Sequence, residues 1–134
     1  MAELSRTRDT LMFSTPIPYK GGGSAPELPV LSSPNAGTPA VDGTSNATVA
    51  STAGSGRLYW AVVTDGGAAT NAQIIAGSGG NIVVAGNQAI TASGTQTVAS
   101  ITGLATATTY QILYLAVDGK GSQSNQSSVT LVTA

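Results

Sequence analysis

Between about Leu31 and the C-terminus, the sequence is a succession of short runs rich in strand-forming residues, separated by residues that favour turns. The strongest run is Arg57 to Thr64, which reads Arg-Leu-Tyr-Trp-Ala-Val-Val-Thr, and the turn sequence Asp65-Gly66-Gly67 follows it. Short strands with turn signals between them are typical of β-sandwiches, in which the chain crosses a sheet and then reverses. This pattern predicts an all-β domain of about seven strands from residue 30 to residue 134.

The predicted strands differ in strength, and one other segment favours a helix. The strand segments are Val30–Ser32, Thr44–Ser51, Arg57–Thr64, Asn81–Ala85, Ala89–Thr91, Gln96–Ile101, Tyr110–Val117 and Ser128–Thr133. Within Thr44–Ser51, alternation places Ala47 and Val49 on one face. Thr70 to Ala76 favours a short helix instead, because Thr70 can cap it and Gly77 can end it. Charged residues make up only 8% of the chain, and abundant Ser, Thr and Gly agree with a strand-rich fold.

Two of the predicted strands are apolar on both faces, whereas a sandwich strand usually buries only one. In the strand Arg57–Thr64, one face holds Leu58, Trp60 and Val62, and the other holds Tyr59, Ala61 and Val63. In the strand Tyr110–Val117, one face holds Tyr110, Ile112, Tyr114 and Ala116, and the other holds Leu113, Leu115 and Val117. If these strands are neighbours, their sheet has an apolar outer face, which monomers rarely leave in water. We expect another subunit, or the chain's own N-terminal arm, to cover that face. The alternative is cover by loops of the same domain.

Residues 1–29 differ from the rest and are interpreted as an extended N-terminal arm and linker, with the sandwich spanning residues 30–134. Pro16 and Pro18 disfavour a regular helix or a central strand, and Gly21 to Ser24 has the composition of a flexible linker. One interpretation is a disordered tail, and the other is an arm that becomes ordered on a partner. The second accounts for apolar residues that a solvated tail would not need: Leu11, Met12, Phe13, Ile17 and Tyr19.

The side chains that most enzymes use are scarce in this chain. It has no His and no Cys, which removes the usual general base at neutral pH, the usual nucleophile–base pairs and most zinc sites. Three carboxylates lie in the arm, and the others, Asp42, Asp65 and Asp118, each precede Gly, which is a turn signature. Asp118 alone supplies too few oxygen ligands for a calcium site. We therefore expect a non-enzymatic protein with no catalytic, cofactor-binding or metal-binding residues.

Charge and hydropathy argue against two further classes of partner. The net charge is -1 and no basic stretch could neutralise phosphates, so nucleic-acid binding is not expected. No apolar run approaches the roughly 20 residues that a membrane-spanning helix needs, and no signal-peptide pattern is visible, so membrane insertion is not expected. With so few charges, like-charge repulsion opposes self-association only weakly.

The segment Gly103-Leu104-Ala105-Thr106-Ala107-Thr108-Thr109-Tyr110 resembles the tyrosine corner of immunoglobulin-like sandwiches, in which the phenol hydroxyl bonds back to the preceding loop. The run from Tyr110 to Asp118, with the turn after it, resembles the sixth strand of fibronectin type III domains, and Val129 to Thr133 fits their last strand. Trp60 departs from that pattern, because it lies on the predicted third strand, as in immunoglobulin domains. The resemblance implies an all-β, immunoglobulin-like (fibronectin type III-like) β-sandwich with an extended N-terminal arm.

Gly56 to Trp60, together with Asn71 to Gly77, is also similar to sandwich modules of bacteriophage structural proteins and of some bacterial surface proteins. This resemblance implies a virion structural protein, either a capsid decoration (cement) protein or a neck, tail or fibre component, assembled in the host cytoplasm. The expected partners are other virion proteins and further copies of the chain, which form a homo-oligomer. The residues expected at these contacts are Leu11, Met12, Phe13, Ile17, Tyr19, Tyr59, Val63, Leu113 and Leu115.

A second hypothesis is a carbohydrate-binding or host-adhesion module that recognises a glycan on the host surface. Such sites usually present aromatic side chains to the faces of sugar rings. The domain offers only Tyr59, Trp60, Tyr110 and Tyr114 for this purpose, and a sandwich is expected to bury most of them. A glycan array or a host-cell adsorption assay distinguishes the two hypotheses.

Overall fold

The computed structural model describes residues 28–134, which form two antiparallel sheets and one short helix. The strands are β1 (Leu31–Asn35), β2 (Thr38–Ala40), β3 (Gly43–Ser51), β4 (Gly56–Thr64), β5 (Ile82–Ile90), β6 (Gly94–Ile101), β7 (Thr109–Val117) and β8 (Ser127–Val132). The helix α1 (Asn71–Ala76) lies between β4 and β5 in the chain. The predicted all-β character with two packed sheets is confirmed.

The first sheet is built around β3, which pairs with β6 along one edge and with both β1 and β2 along the other. β1 and β2 follow one another along that edge and are separated by Ala36 and Gly37. Pro34 and Pro39 lie in these edge strands, where a missing N–H is tolerated. The sequence predictions lack β2, because Thr-Pro-Ala is too short to show an alternating pattern.

The second sheet has the strand order β5-β4-β7-β8. β4 and β7, the two strands that are apolar on both faces, are therefore neighbours, and they pair without a register shift. The two weak strands predicted at 81–85 and 89–91 are a single strand, β5, because its backbone pairs with β4 over its whole length. β5 contains one irregularity, a bulge at Val83.

The main core lies between the two sheets and contains the faces that the sequence pattern predicted. β3 contributes Ala47 and Val49, both fully buried. β4 and β7 contribute the faces that hold Leu58 and Tyr114, in agreement with the period of two along each strand. The other large members of this cluster are Leu31, Ile90, Val98, Ile101, Leu104, Tyr110, Ile112 and Leu131. Removal of this apolar surface from water holds the two sheets together.

Two tyrosines of β7 make side-chain hydrogen bonds to backbone groups outside the strand. The Tyr110 hydroxyl accepts the N–H of Ala105 at 3.0 Å, which is the contact predicted from the likeness to a tyrosine corner. The Tyr114 hydroxyl donates to the carbonyl of Asn35 in β1 at 3.1 Å. Tyr114 is fully buried, and desolvation by burial raises the pKa of its phenol well above the ordinary value. The second bond therefore joins the two sheets through the core.

α1 begins and ends where its sequence predicts. The Thr70 hydroxyl accepts the N–H of Gln73 at 3.2 Å, and the side-chain oxygen of Gln73 accepts the N–H of Thr70 at 2.9 Å, so the helix has a capping box. Gly77 follows with a φ of 77°, the left-handed conformation that Gly adopts without the cost of a Cβ. A helix of 6 residues is not stable alone, so its contacts with the sheet must hold it.

Candidate assembly surfaces

The outer face of the second sheet is covered by the chain itself. α1 lies against β4 and β7, and its buried residue, Ile74, is 1% exposed. Val63, Leu113 and Leu115 are buried with it, and Ala61 completes this second apolar cluster. The expectation that another subunit or the arm covers these sheet residues is therefore corrected. The alternative of cover from within the domain holds, because α1 supplies the apolar side chains that seal the face.

Amide side chains from the loop between β7 and β8 also hold α1 in place. The side-chain amide of Asn71 donates to Gln123 Oε1 at 2.9 Å, and the Gln126 amide donates to Asn71 Oδ1 at 2.7 Å. The Gln126 amide also donates to the carbonyl of Ala69 at 3.0 Å. These bonds span more than 50 positions of sequence, so no local pattern could have indicated them. They add directional contacts to the apolar packing of the helix.

The other predicted contact residues fall into two groups. Tyr59 lies at the rim of the covered face, where it is half-buried against the second apolar cluster. Of the predicted contact residues on the sheet within residues 28–134, Tyr59 alone is not fully buried, so its contact with a partner stays a prediction. The arm residues lie outside the described residues, and their contacts stay a prediction: Leu11, Met12, Phe13, Ile17 and Tyr19.

The aromatic residues of the domain do not form an exposed platform. Tyr110 and Tyr114 are buried in the core, and Tyr59 and Trp60 are half-buried. The Trp60 ring lies directly over the backbone of Gly86, its partner on β5, where a built Cβ would lie 2.5 Å from Cζ2 of the ring. The Trp60 ring can pack at this place only because Gly86 has no side chain. Within residues 28–134, no aromatic residue is fully exposed, whereas sugar-binding sites usually present exposed aromatic faces.

The carboxylates of the domain lie in separate turns. Asp42 precedes β3 and Asp65 follows β4, whereas Asp118 follows β7 at the other end of the strands. Asp118 Oδ1 accepts the N–H groups of Lys120 and Ser122, each at 2.9 Å, so this carboxylate organises its own loop. Residues 28–134 contain no group of three or more His, Cys, Asp or Glu that could hold a metal ion.

Three loops and the start of the described chain meet at one end of the sandwich, here called the loop end. They are residues 52–55, 91–93 and 118–126, which connect the strands at that end. A cavity of about 240 Å³ lies between Leu28, Thr52 and Gly119, and Asp118 and Lys120 also line it. Leu28 and Val30, at the start of the described chain, are 64% and 51% exposed. Residues 1–29 therefore lead into the domain beside these loops, next to the exposed apolar side chains of Leu28 and Val30.

The two lateral sides of the sandwich differ in how their strand edges are closed. On the side of β1 and β8, the Asn125 amide group pairs with both backbone groups of Leu31, at 2.9 and 3.1 Å. The N–H of Ala134 donates to the carbonyl of Ala40 on the same side at 2.9 Å. On the side of β5 and β6, the edges are bridged by the Gln88 amide, which donates to the Thr97 carbonyl at 3.0 Å. Sequence reasoning missed both closures, because they join residues of different strands.

The surface of the domain is almost free of charge. Among residues 28–134, the charged side chains are Asp42, Arg57, Asp65, Asp118 and Lys120. Arg57 donates to the side-chain oxygen of Asn87 at 2.7 Å, so its charge lies along the outer face of β5. None of the helices in this part of the chain has the length and hydropathy needed to cross a membrane.

Comparison with known proteins gave no match: no family model fits the chain, and no curated protein or solved structure is significantly similar to it.

Proposed function

We propose that this chain is a non-enzymatic structural subunit of a bacteriophage virion, either a capsid decoration protein or a neck, tail or fibre component. The main support is the near absence of charge on the folded domain, which has five charged side chains among residues 28–134. Charge of one sign keeps soluble proteins apart, so a surface with so little of it favours lasting contact with neighbours. A subunit that is incorporated once and never released has no need of that repulsion.

We further propose an immunoglobulin-like, fibronectin type III-like topology for the sandwich. It is supported by the division of the strands, with β1, β2, β3 and β6 in one sheet and β5, β4, β7 and β8 in the other. The hydrogen bond between the Tyr110 hydroxyl and the Ala105 N–H, in the loop before β7, adds further support. Trp60 on β4 is the feature nearer to immunoglobulin domains.

A role without catalysis is supported by the chemistry of the described residues. The chain has no His or Cys, and the three carboxylates of the domain lie in separate turns. A pair of carboxylates that act together on a glycosidic bond must lie within about 10 Å of each other. Asp118 is separated from Asp42 and Asp65 by the length of the strands and is held by its own loop.

The arm is proposed to supply the contact with other virion proteins. It joins the domain at the loop end beside Leu28 and Val30, both exposed, so a neighbour that binds the arm would also meet these side chains. The arm's apolar residues, Phe13 and Tyr19 among them, are the proposed anchors. Anchoring through large apolar side chains is typical of the few residues that dominate an interface.

The experiment is detection of the chain in purified particles. Particles from the phage that encodes the chain are separated on a density gradient and probed with an antibody against the domain. We expect the chain at a constant ratio to the major capsid protein. A variant with Phe13→Ser and Tyr19→Ser is expected to fold but to be lost from the particles, because its anchors are gone.

The matched control is a variant with Ser14→Ala and Thr15→Ala, which changes neighbouring arm residues and leaves the apolar anchors in place. We expect this control to be incorporated like the natural chain. Absence of the natural chain from particles would contradict the proposed function. Equal incorporation of both variants would contradict the proposed role of the arm. Binding of the chain to a glycan array, with absence from particles, would favour the host-adhesion hypothesis instead.

A further inference from the structure

We propose that two copies of this chain pair through the free edge of β6, antiparallel and centred on Thr97, so that the first sheets of both copies become one continuous sheet. This inference deepens the proposed assembly role and names a partner for one surface, a second copy of the chain. It rests on three properties of β6: its regularity, its lack of blocking side chains, and the direction of its unpaired backbone groups.

β6 is the longest edge strand that pairs without a register shift, and its alternation breaks once, because Val98 and Ile101 both face the core. Its pairing with β3 runs from Thr44↔Ile101 to Ser51↔Gly94 without a register shift. The adjacent edge, β5, is bent by the bulge at Val83. Bulges discourage the addition of a further strand, whereas a long straight edge accepts one. Of the two edges on this lateral side, β6 is therefore the one suited to pairing.

β6 also lacks the side chains that usually protect an edge. Its sequence, Gly-Thr-Gln-Thr-Val-Ala-Ser-Ile, contains no charged residue and no Pro. Natural proteins place Lys, Pro or a covering segment at exposed edges to prevent pairing between molecules. The opposite lateral side has such protection, with Pro34 and Pro39 in its strands and the Asn125 amide across Leu31. On β6, the Gln88 amide covers only the Thr97 carbonyl. The backbone groups of β6 are therefore less protected than those of β1 and β2, which favours a partner at this edge.

The hydrogen bond from Gln88 fixes the direction of the backbone groups of β6. The Thr97 carbonyl accepts it from the side away from β3, so Thr97 points its backbone groups outward. In an antiparallel strand these groups alternate in direction, so those of Thr95 point outward as well. Those of Ala99 do so at the point where the pairing with β3 is interrupted, opposite Asn46 with its φ of 57°. Among the backbone groups of Thr95, Thr97 and Ala99, only the Thr97 carbonyl accepts a hydrogen bond from elsewhere in residues 28–134.

This outward row is complementary to itself about a two-fold axis. When Thr97 of one copy faces Thr97 of the other, each N–H meets the opposite carbonyl, and Thr95 faces Ala99 of the second copy. The side chains of these three residues are exposed on the outer face of the first sheet, so none of them obstructs the approach. Facing threonines are a favourable cross-strand pair. In the pair, the second copy's N–H replaces the Gln88 amide at the Thr97 carbonyl.

The chain has no Cys, so single cysteines can test this register in the full-length protein. Facing residues of a hydrogen-bonded pair have Cα atoms about 5.5 Å apart, within the range that a disulfide spans. We expect Thr97→Cys to give a disulfide-linked dimer on mild oxidation. Thr95→Cys and Ala99→Cys should each remain monomeric alone, because their own copies lie about 13 Å apart along the strand. A mixture of these two variants should form the linked heterodimer.

The control is Ser128→Cys, an exposed position on β8 at the opposite lateral side, which should stay monomeric. A second measurement avoids oxidation: Thr97→Lys places like charges opposite each other and should weaken dimerisation by about tenfold in sedimentation. No disulfide dimer for Thr97→Cys, or equal linkage of Ser128→Cys, would overturn the proposal. The same holds if Thr95→Cys links alone as readily as in the mixture. Particles that contain the chain without β6 pairing would leave the virion role intact and refute only this contact.

Discussion

The cover of the second sheet by α1 leads to a stability prediction for Ile74→Ala. Ile74 is 1% exposed, and the substitution removes three carbons from a buried side chain. At about 0.8 kcal/mol for each buried methylene, the loss of transfer free energy is about 2.4 kcal/mol. Incomplete collapse of the cavity increases the cost, and the better helix propensity of Ala returns about 0.4 kcal/mol. We expect the free energy of unfolding to fall by about 3 kcal/mol.

The assay is equilibrium unfolding of the full-length chain in urea, in which a lower midpoint with an unchanged slope reports lost stability. Ile75→Ala is the matched control, because it makes the same chemical change at a neighbouring residue of α1 that is only half-buried. We expect its cost to be about half that of Ile74→Ala. Equal losses for the two variants, or a loss below about 0.5 kcal/mol for Ile74→Ala, would refute the conclusion that α1 seals this face.

Three further predictions concern single residues of the domain. Thr70→Ala removes the acceptor for the Gln73 N–H and should lower the free energy of unfolding by about 1 kcal/mol in the same urea assay. Gly86→Val places carbon atoms where the Trp60 ring lies, so it should shift the Trp fluorescence and cost about 2 kcal/mol. Burial raises the pKa of the Tyr114 phenol, so the unfolded chain releases this proton at lower pH than the folded chain. The corresponding stability is present below the ordinary phenol pKa of about 10 and is lost as pH rises above it. Tyr114→Phe should show a shallower loss of stability in urea titrations at alkaline pH.

Local patterns predicted the parts of this fold that depend on neighbouring residues in sequence. Alternation along β4 assigned Leu58 to one face and Val63 to the other, and the structure places them in two separate clusters. The capping residues Thr70 and Gly77 set the ends of α1. These predictions succeed because a strand has a period of two and because helix ends need specific side chains.

Contacts between segments distant in sequence could not be predicted in this way. The sequence marks α1 as a helix, but its six residues do not indicate which surface the helix covers. The apolar outer face therefore predicts cover by another subunit or by the N-terminal arm, with loops of the domain as the alternative. The hydrogen bond between the Asn125 side chain and the Leu31 backbone joins residues 94 positions apart, and the sequence around each of them gives no sign of this contact. β2 forms because β3 offers it an edge, and its own three residues have weak strand preference.

Lasting contact between copies of the chain is the central proposal, and the oligomeric state of the full-length chain tests it most directly. Sedimentation equilibrium over a wide range of protein concentration, at low and at high salt, gives the mass of the species present. We predict a discrete oligomer whose stability changes little with salt, because few charges lie on the domain. A chain that stays monomeric at every concentration, or one whose association disappears at high salt, would contradict the account.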